Sequence, residues 1–369
     1  MTRFSRRKKI RRTLGEKNID KLYHLFSKSQ ASYITDDSRL VIFSDLHMGN
    51  GSNMDDFLQN GPLFKQVLEQ YYEPGKYTLI LNGDVEELHR FRLRQITSFW
   101  KNTYTVFKRF HDRDSLFKLF GNHDYEILLR HKLPLNIPVH ETLKLDYKGN
   151  NIFIFHGHQA GYRWFKLYHW ITAFFLRFLA NVLRIKNYTV AQNKRKKYKI
   201  EKNAYNFAKK NKIIVVIGHT HRPLYESLSK SDNLKFKIES LCREYPSAPG
   251  NQKQELEEKI QKYKKELVDI LQRKDGEDII SNLYNSGQAP LVPCMFNSGC
   301  GIGKRGITAI EISEGKIRLV HWFDKRVSRN YLGYDGYPLH RLQDTEYCKI
   351  TLKEDPLDYI FTRIKLLAD

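Results

Sequence analysis

Leu116-Phe117-Lys118-Leu119-Phe120-Gly121-Asn122-His123-Asp124 is an apolar, strand-like run that stops at a cluster of metal-binding side chains. Four further runs have the same build. Val41-Ile42-Phe43-Ser44 leads into Asp45-Leu46-His47, and Thr78-Leu79-Ile80-Leu81-Asn82 into Gly83-Asp84. Ile152-Phe153-Ile154-Phe155 leads into His156-Gly157-His158, and Ile213-Ile214-Val215-Val216-Ile217 into Gly218-His219-Thr220-His221. One Asp-x-His beside a strand is ordinarily a satisfied surface or core histidine, and one Gly-Asp an ordinary turn. Five such runs, each closing a β-rich segment, are poorly explained by chance. Functional groups of an α/β sheet sit at the carboxyl ends of its strands. Five strands aimed at one rim would therefore gather these side chains into one cluster. Asp, Asn and imidazole are the donors that hold a pair of divalent transition-metal ions near a phosphate.

The ordered series D-x-H, G-D, G-N-H-D, H-G-H, G-H-T-H resembles the calcineurin-like metallophosphoesterases. The resemblance covers about residues 38 to 325 with two interruptions. It implies an α/β fold, a β-sandwich flanked by helices in four α/β/β/α layers, here with helical insertions. Two cations a few ångströms apart need a bridging carboxylate, and Asp84, alone in its motif, is the candidate. By resemblance Asp45, His47 and His221 join Asp84 around one ion, while Asn122, His156 and His219 join it around the other. Two divalent ions are the implied cofactor. Manganese is placed first, and iron, zinc and cobalt also suit nitrogen and oxygen donors. A hydroxide held between them would attack phosphorus in line. His123 is expected to stabilise or protonate the leaving oxygen, with Asp124 fixing its tautomer. The first histidine of the family's H-G-H run is the ligand, so His158 is read as supporting a ligand or facing substrate, against a purely structural role. Gly83, Gly121 and Gly218 sit where a positive φ or a close approach to the metals is expected. Asn297-Ser298-Gly299 resembles a structural turn near the family's C-terminal sheet.

The chain has 369 residues, with 63 Lys and Arg against 41 Asp and Glu, for a net charge of +22. Such a field attracts anions, among them lipids, membranes and nucleic acids, without choosing between them. Cys242, Cys294, Cys300 and Cys348 show no C-x-x-C spacing and read as free thiols of a reducing compartment. The basic start lacks an apolar run after it, so no signal peptide is expected. The expected location is the cytoplasm, with a peripheral place on the inner membrane face as an option.

One catalytic motif set spans most of the length, which favours a single catalytic domain over residues 38–325. Residues 1–37 read as a basic arm, rich in cations from Arg3 to Arg12, with a helical turn or two over Ile19 to Phe26. Helices are expected from Asp55 to Tyr72 and over about Leu88 to His111. The second carries Arg90, Arg92, Arg94, Lys101, Lys108 and Arg109 as candidate substrate cations or a solvated face. A first insertion, 160–210, holds the aromatic stretch 162–186, whose Arg163, Lys166, Arg177, Asn181 and Arg184 share one narrow helical face. It reads either as an interfacial membrane helix or as a hairpin packed on the domain. The cations from Lys194 to Lys202 follow it. A second insertion, 228–288, carries Leu256, Ile260, Tyr263, Leu267 and Ile270 at coiled-coil spacing, for pairing with a second chain or with a neighbouring helix. Residues 326–369 read as a C-terminal extension that includes the helix-like Pro356 to Leu367.

Hydrolysis of a phosphoester or pyrophosphate bond of a nucleotide-linked or lipid substrate is the first functional reading. The bacterial UDP-2,3-diacylglucosamine pyrophosphatase-like branch carries a helical cap where this chain has its first insertion. His123 and His158 depart from that branch, which looks to have Arg and Asp there. A nuclease or nucleotide phosphodiesterase is the alternative, supported by the charge. A protein phosphatase fits less well, because Gly83-Asp84-Val85-Glu86-Glu87 lacks that branch's Arg and Asp124 replaces its Glu. A scaffold with a decayed metal site fits poorly, since every ligand position is intact. Oligomeric state is open.

Overall fold

The protein is described by a computed structural model over residues 14–127, 136–161, 194–228, 230–273, 292–328 and 339–368. The aromatic stretch 162–186 lies outside the described residues.

Two sheets stack face to face. The larger has eight strands in the order β12-β13-β11-β10-β2-β3-β4-β5. Its parallel half is β2 (Leu40–Phe43), β3 (Thr78–Asn82), β4 (Leu116–Leu119) and β5 (Val139–His140). Its antiparallel half is β10 (Ile307–Ser313), β11 (Lys316–Asp324), β13 (Tyr347–Pro356) and β12 (Leu339–Arg341). The smaller sheet runs β1 (Ala31–Ile34), β6 (Thr142–Tyr147), β7 (Asn150–Phe155), β8 (Ile214–Ile217) and β9 (Met295–Asn297). β6 and β7 are antiparallel, whereas β7, β8 and β9 run parallel.

Alternation along the strands builds two cores. Leu40 and Ile42 of β2, with Ile80, Ile310 and Ile312, face the smaller sheet and meet Ile152, Ile154 and Val216 there. Val41 and Phe43, with Leu79, Leu81, Ala309 and Trp322, face the other way onto Phe64, Val67, Phe107 and Phe110. Those last residues belong to the helices Gly61–Val67 and Lys101–Asp112. On the far side of the smaller sheet lie the helices Leu14–Lys28 and Lys194–Asn211, joined edge to face through Tyr23 and Phe207, 5.2 Å apart. The order of layers is α/β/β/α, as the family resemblance implies.

The helix expected from Asp55 begins later. Asp55 caps a turn through the Phe57 N–H at 3.0 Å, and the helix starts at Gly61-Pro62. Its last turn, Leu68–Tyr72, widens so that the Glu73 N–H reaches Leu68 O at 2.9 Å. The region from Leu88 breaks into Leu93–Phe99 and Lys101–Asp112 around Trp100, whose indole N–H donates to Gly49 O at 3.0 Å.

The described parts of both outer segments pack against the sheets. Within residues 14–37, Leu22 is fully buried, and β1 adds a parallel edge strand to β6. At the other end β13 pairs along the whole of β11, and helix Leu357–Leu367 buries Leu357, Ile360, Phe361 and Ile364 in the core between layers. The second insertion forms the helices Lys230–Glu244 and Gly250–Arg273, which pack on each other, with Leu234 and Leu256 buried. The coiled-coil pattern is thus used at least in part within one chain. All four cysteines are free. Among the described residues, no helix is long and apolar enough to cross a membrane.

Candidate metal centre

All five motif loops leave the carboxyl ends of parallel strands, β2, β3 and β4 in one sheet and β7 and β8 in the other. The two rims are tied where the Asn82 amide donates to Phe155 O at 3.2 Å. A tight rim needs unusual backbone. Asp45, His47, Asp84, His219 and His221 all take positive φ, between 49° and 65°. Each such residue costs about 1–3 kcal/mol and persists only where its surroundings demand it. The glycines serve the same geometry. Gly83 has φ +80°, while a Cβ on Gly121 would stand 2.1 Å from Asp84 Oδ1 and one on Gly218 2.6 Å from Asp45 Oδ2. The sequence reading allowed either use, and both occur.

The side chains form two groups. Ligand atoms of Asp45, His47 and His221 lie within 4.8 Å of one another, as do those of Asp84, His156 and His219. His221 Nε2 is 3.1 Å from Asp45 Oδ1, and His47 Nε2 is 3.2 Å from His221 Nε2. His156 Nε2 is 3.1 Å from Asp84 Oδ2 and 3.9 Å from Asp45 Oδ1. Asp84 stands between the groups, with Oδ2 also 3.9 Å from His47 Nε2. Asn122 lies in the next turn, where the His123 N–H donates to Asp84 Oδ1 at 2.7 Å.

Two buried atoms test whether this cluster fits metal ions. Asn122 Oδ1 and His156 Nε2 have no hydrogen-bond partner among the described residues; the latter is near Asp84 but poorly aimed for a bond. A buried polar atom left bare is costly; a cation would satisfy Asn122 Oδ1 directly, and His156 Nε2 in exchange for the proton it carries in the metal-free chain. His156 Nδ1 donates to Asn82 O at 2.8 Å, which turns Nε2 toward Asp84 and the cluster. With two carboxylates, one amide and four imidazoles, the donor set suits a borderline divalent ion.

Charges agree. Burial would raise the Asp45 carboxyl, but His221 and His156 bring it down to about 2. Asp84 is likewise raised by burial yet held well below the usual carboxylate range by His156 and His123. Burial would lower His156, but Asp84 and Asp45 lift it to about 10. His219 goes the other way, to about 3, through burial and the neighbouring His156.

His123 does not pair as the sequence suggested. The carboxylate at its Nδ1 is Glu87, at 2.8 Å, and not Asp124. Asp124 instead accepts the N–H groups of Gly121 at 2.5 Å and Val85 at 3.0 Å, so it shapes the two loops' backbone. Burial pushes Asp124 up to about 6. Burial would lower His123, but Glu87 and Asp84 raise it to about 9. Glu87 also accepts from His47 Nδ1 at 3.0 Å. His158 lies against Phe120 and His156, ring centres 5.7 and 5.6 Å away, with its pKa well lowered by burial and by His156. Its Nδ1 has no partner among the described residues.

Sequence reasoning missed three supports. Glu87 is the first; its signal was a second acid three residues after Asp84. Glu201, fully buried on the helix Lys194–Asn211, accepts from Thr220 Oγ at 2.8 Å and pairs with Arg222, so it clamps the His219–His221 turn. Ser44 Oγ lies 2.5 Å from Asp45 Oδ2 and 2.7 Å from Ser298 Oγ. The expected Asn297-Ser298-Gly299 turn braces the site further, since the Asn297 amide donates to Gly218 O at 3.1 Å. Of the candidate cations on the Leu88–His111 region, Arg90 pairs with Asp56, Arg109 with Glu69 and Glu73, and Lys108 with Asp112. Arg94, Lys101 and Lys108 line an open groove of about 370 Å³ together with Thr97, Ser98 and Thr105.

No curated protein matches the chain. Among solved structures it is similar to a dimetal phosphatase from Danio rerio, at 8% identity over 76% of this chain and 95% of that one, with a TM-score of 0.33. The family model for calcineurin-like phosphoesterases matches residues 38–242, which hold all five motifs and more than half of the sequence. This chain belongs to the calcineurin-like phosphoesterase family and is a metal-dependent phosphoester hydrolase.

Proposed function

We propose that the chain hydrolyses a phosphodiester or pyrophosphate bond with a pair of divalent ions. Asp45, His47, His221 and Asp84 would hold one, and Asn122, His156, His219 and Asp84 the other. Manganese is the first choice of ion. The supporting observation is the meeting of the two ligand groups at Asp84, beside the bare Asn122 Oδ1 and His156 Nε2. When bound, such ions polarise a phosphoryl oxygen and lower the pKa of water.

The chain's own groups do the rest. Glu87 fixes the His123 ring and keeps a proton on Nδ1. His123, oriented by Glu87, is the group placed beside the cluster to give a proton to the leaving oxygen. Asn82 and Glu87 hold the His156 and His47 rings. Glu201 and Ser298 hold the turns that bear His219 and Asp45.

For the substrate, we infer an anionic molecule larger than a simple monoester. The net charge of +22 and the aromatic, cationic composition of 162–186 support a lipid-linked or nucleotide-linked phosphate met at a membrane face. A nuclease is the second reading, favoured by the net charge of +22 and by the groove that Arg94 and Lys101 line with Thr97, Ser98 and Thr105. A manganese-supplemented panel of aryl mono- and diesters, nucleotide-linked diphosphates, phospholipids and single-stranded DNA tests both. Turnover that needs lipid or detergent and ignores salt supports the first; turnover of DNA that falls steeply with salt supports the second. No turnover of any member contradicts the proposal.

A further inference from the structure

We propose that Glu87, His89 and His123 form a third cation site at the rim of the paired centre, and that zinc is the ion it takes. One ligand atom from each of the three lies within 4.8 Å of the others. The His89 and His123 rings are 4.3 Å apart, centre to centre, and inclined by 37°. None of the three belongs to the Asp45, His47, His221 group or to the Asp84, His156, His219 group. His123 also lies within 4.8 Å of His47 and Asp84, so the site shares its edge with the paired centre, whereas Glu87 and His89 enter no other group among the described residues.

Its build follows from the loops. Glu87 and His89 are two residues apart in the segment after Asp84, and His123 comes from the loop after the adjacent strand β4. Glu87 is buried, whereas His89 is half-buried, so the group is walled on one side and reachable from the other. One carboxylate and two imidazoles make the three-donor set that zinc takes with a fourth position open. The high share of nitrogen favours zinc over magnesium or manganese.

Occupation has a consequence for catalysis. Glu87 orients both His47 and His123, and an ion that engages Glu87 and His123 competes with those hydrogen bonds. Excess zinc is therefore inhibitory to the manganese-loaded protein. The inhibition rests on the phosphoesterase reading; the site itself does not.

The test is a zinc titration of the full-length metal-free chain, counting bound ions by calorimetry and elemental analysis, for wild type and His89→Gln. Three ions are expected in wild type and two in the variant. Hydrolysis of an aryl phosphodiester by the manganese-loaded proteins is then read against added zinc, each relative to its own zinc-free rate. Half-inhibition of His89→Gln is expected at about tenfold or more higher zinc. Circular dichroism and a second variant, His89→Asn, separate loss of the site from loss of the fold. Equal ion counts in wild type and the folded variants overturn the proposal, as do equal inhibition curves. A manganese-loaded chain that hydrolyses nothing overturns the phosphoesterase reading instead, because the ion count still reads the site.

Discussion

The carboxylate of Glu87 lies 2.8 Å from Nδ1 of His123. The same carboxylate is 3.0 Å from Nδ1 of His47, so one buried acid orients two imidazoles that face the cluster from different loops. Burial would raise Glu87, yet His123 and His47 hold it well below its usual range. It is therefore ionised and acts as an acceptor for both rings.

Replacing this acid with its amide keeps the shape and removes the charge. Glu87→Gln is expected to lower kcat on an aryl phosphodiester by about 10- to 100-fold, the usual cost of losing an outer hydrogen bond to a ligand. Steady-state kinetics with metal analysis would show it. Wild-type kcat in the amide variant would mean that the contact is idle.

Asn122 offers a bare, buried oxygen. Asn122→Ala is expected to lower the count of tightly bound divalent ions from two to one per chain, measured by elemental analysis after dialysis. The metal-free variant should melt close to wild type, because no hydrogen bond at Oδ1 is lost with the amide. Two tightly bound ions in the variant would remove Asn122 from the ligand set.

The metal-free protein should be most stable near pH 6.5. His156 and His123 are raised to about 10 and about 9, so the stability they add is complete below the unfolded value near 6.5 and is lost as pH climbs through 9 and 10. His219 is lowered to about 3, so its contribution is present above 6.5 and is lost as pH falls toward 3. Thermal melts of the chelated protein from pH 4 to pH 10 should trace a maximum. A metal-free Tm that rises steadily from pH 7 to pH 10 would contradict these assignments.

Glu201 joins the helix Lys194–Asn211 to the turn that carries His219 and His221. Glu201→Gln is expected to destabilise the fold by about 2 kcal/mol, the scale of a hydrogen bond to a charged group. It should also weaken metal binding, because Thr220 and Arg222 lose their shared anchor. Urea melts and calorimetric metal titration read the two effects separately; unchanged metal affinity would limit Glu201 to a role in the fold.

The legible part of this protein was its strands and their loops. β2, β3, β4, β7 and β8 were visible because each is a short β-branched or aromatic run closed by Gly, Asp or His. Which strands share a sheet was hidden, since residues such as those of β2 are buried on both faces and lack alternation. β1 was missed for the opposite reason, as an edge strand whose Tyr33 is 84% exposed. Helix Leu14–Lys28 looked like part of a solvated arm because of the cations ahead of it, and only its packing with Phe207 and Phe153 shows that it belongs to the core. The ligand positions were legible as motifs, whereas Glu87 and Glu201 act across 36 and 19 residues on partners that spacing does not reveal.

Asp84, with His156 Nε2 at 3.1 Å and His47 Nε2 at 3.9 Å from its Oδ2, is the proposed bridge, and its replacement bears most directly on the paired centre. Wild type and Asp84→Asn, each reconstituted with manganese, can be compared for bound ions per chain and for hydrolysis of an aryl phosphodiester. Two ions and turnover are expected in wild type, with loss of at least one ion and about 1,000-fold or more of the rate in the folded variant. An Asp84→Asn chain that keeps two ions and wild-type turnover would contradict the account.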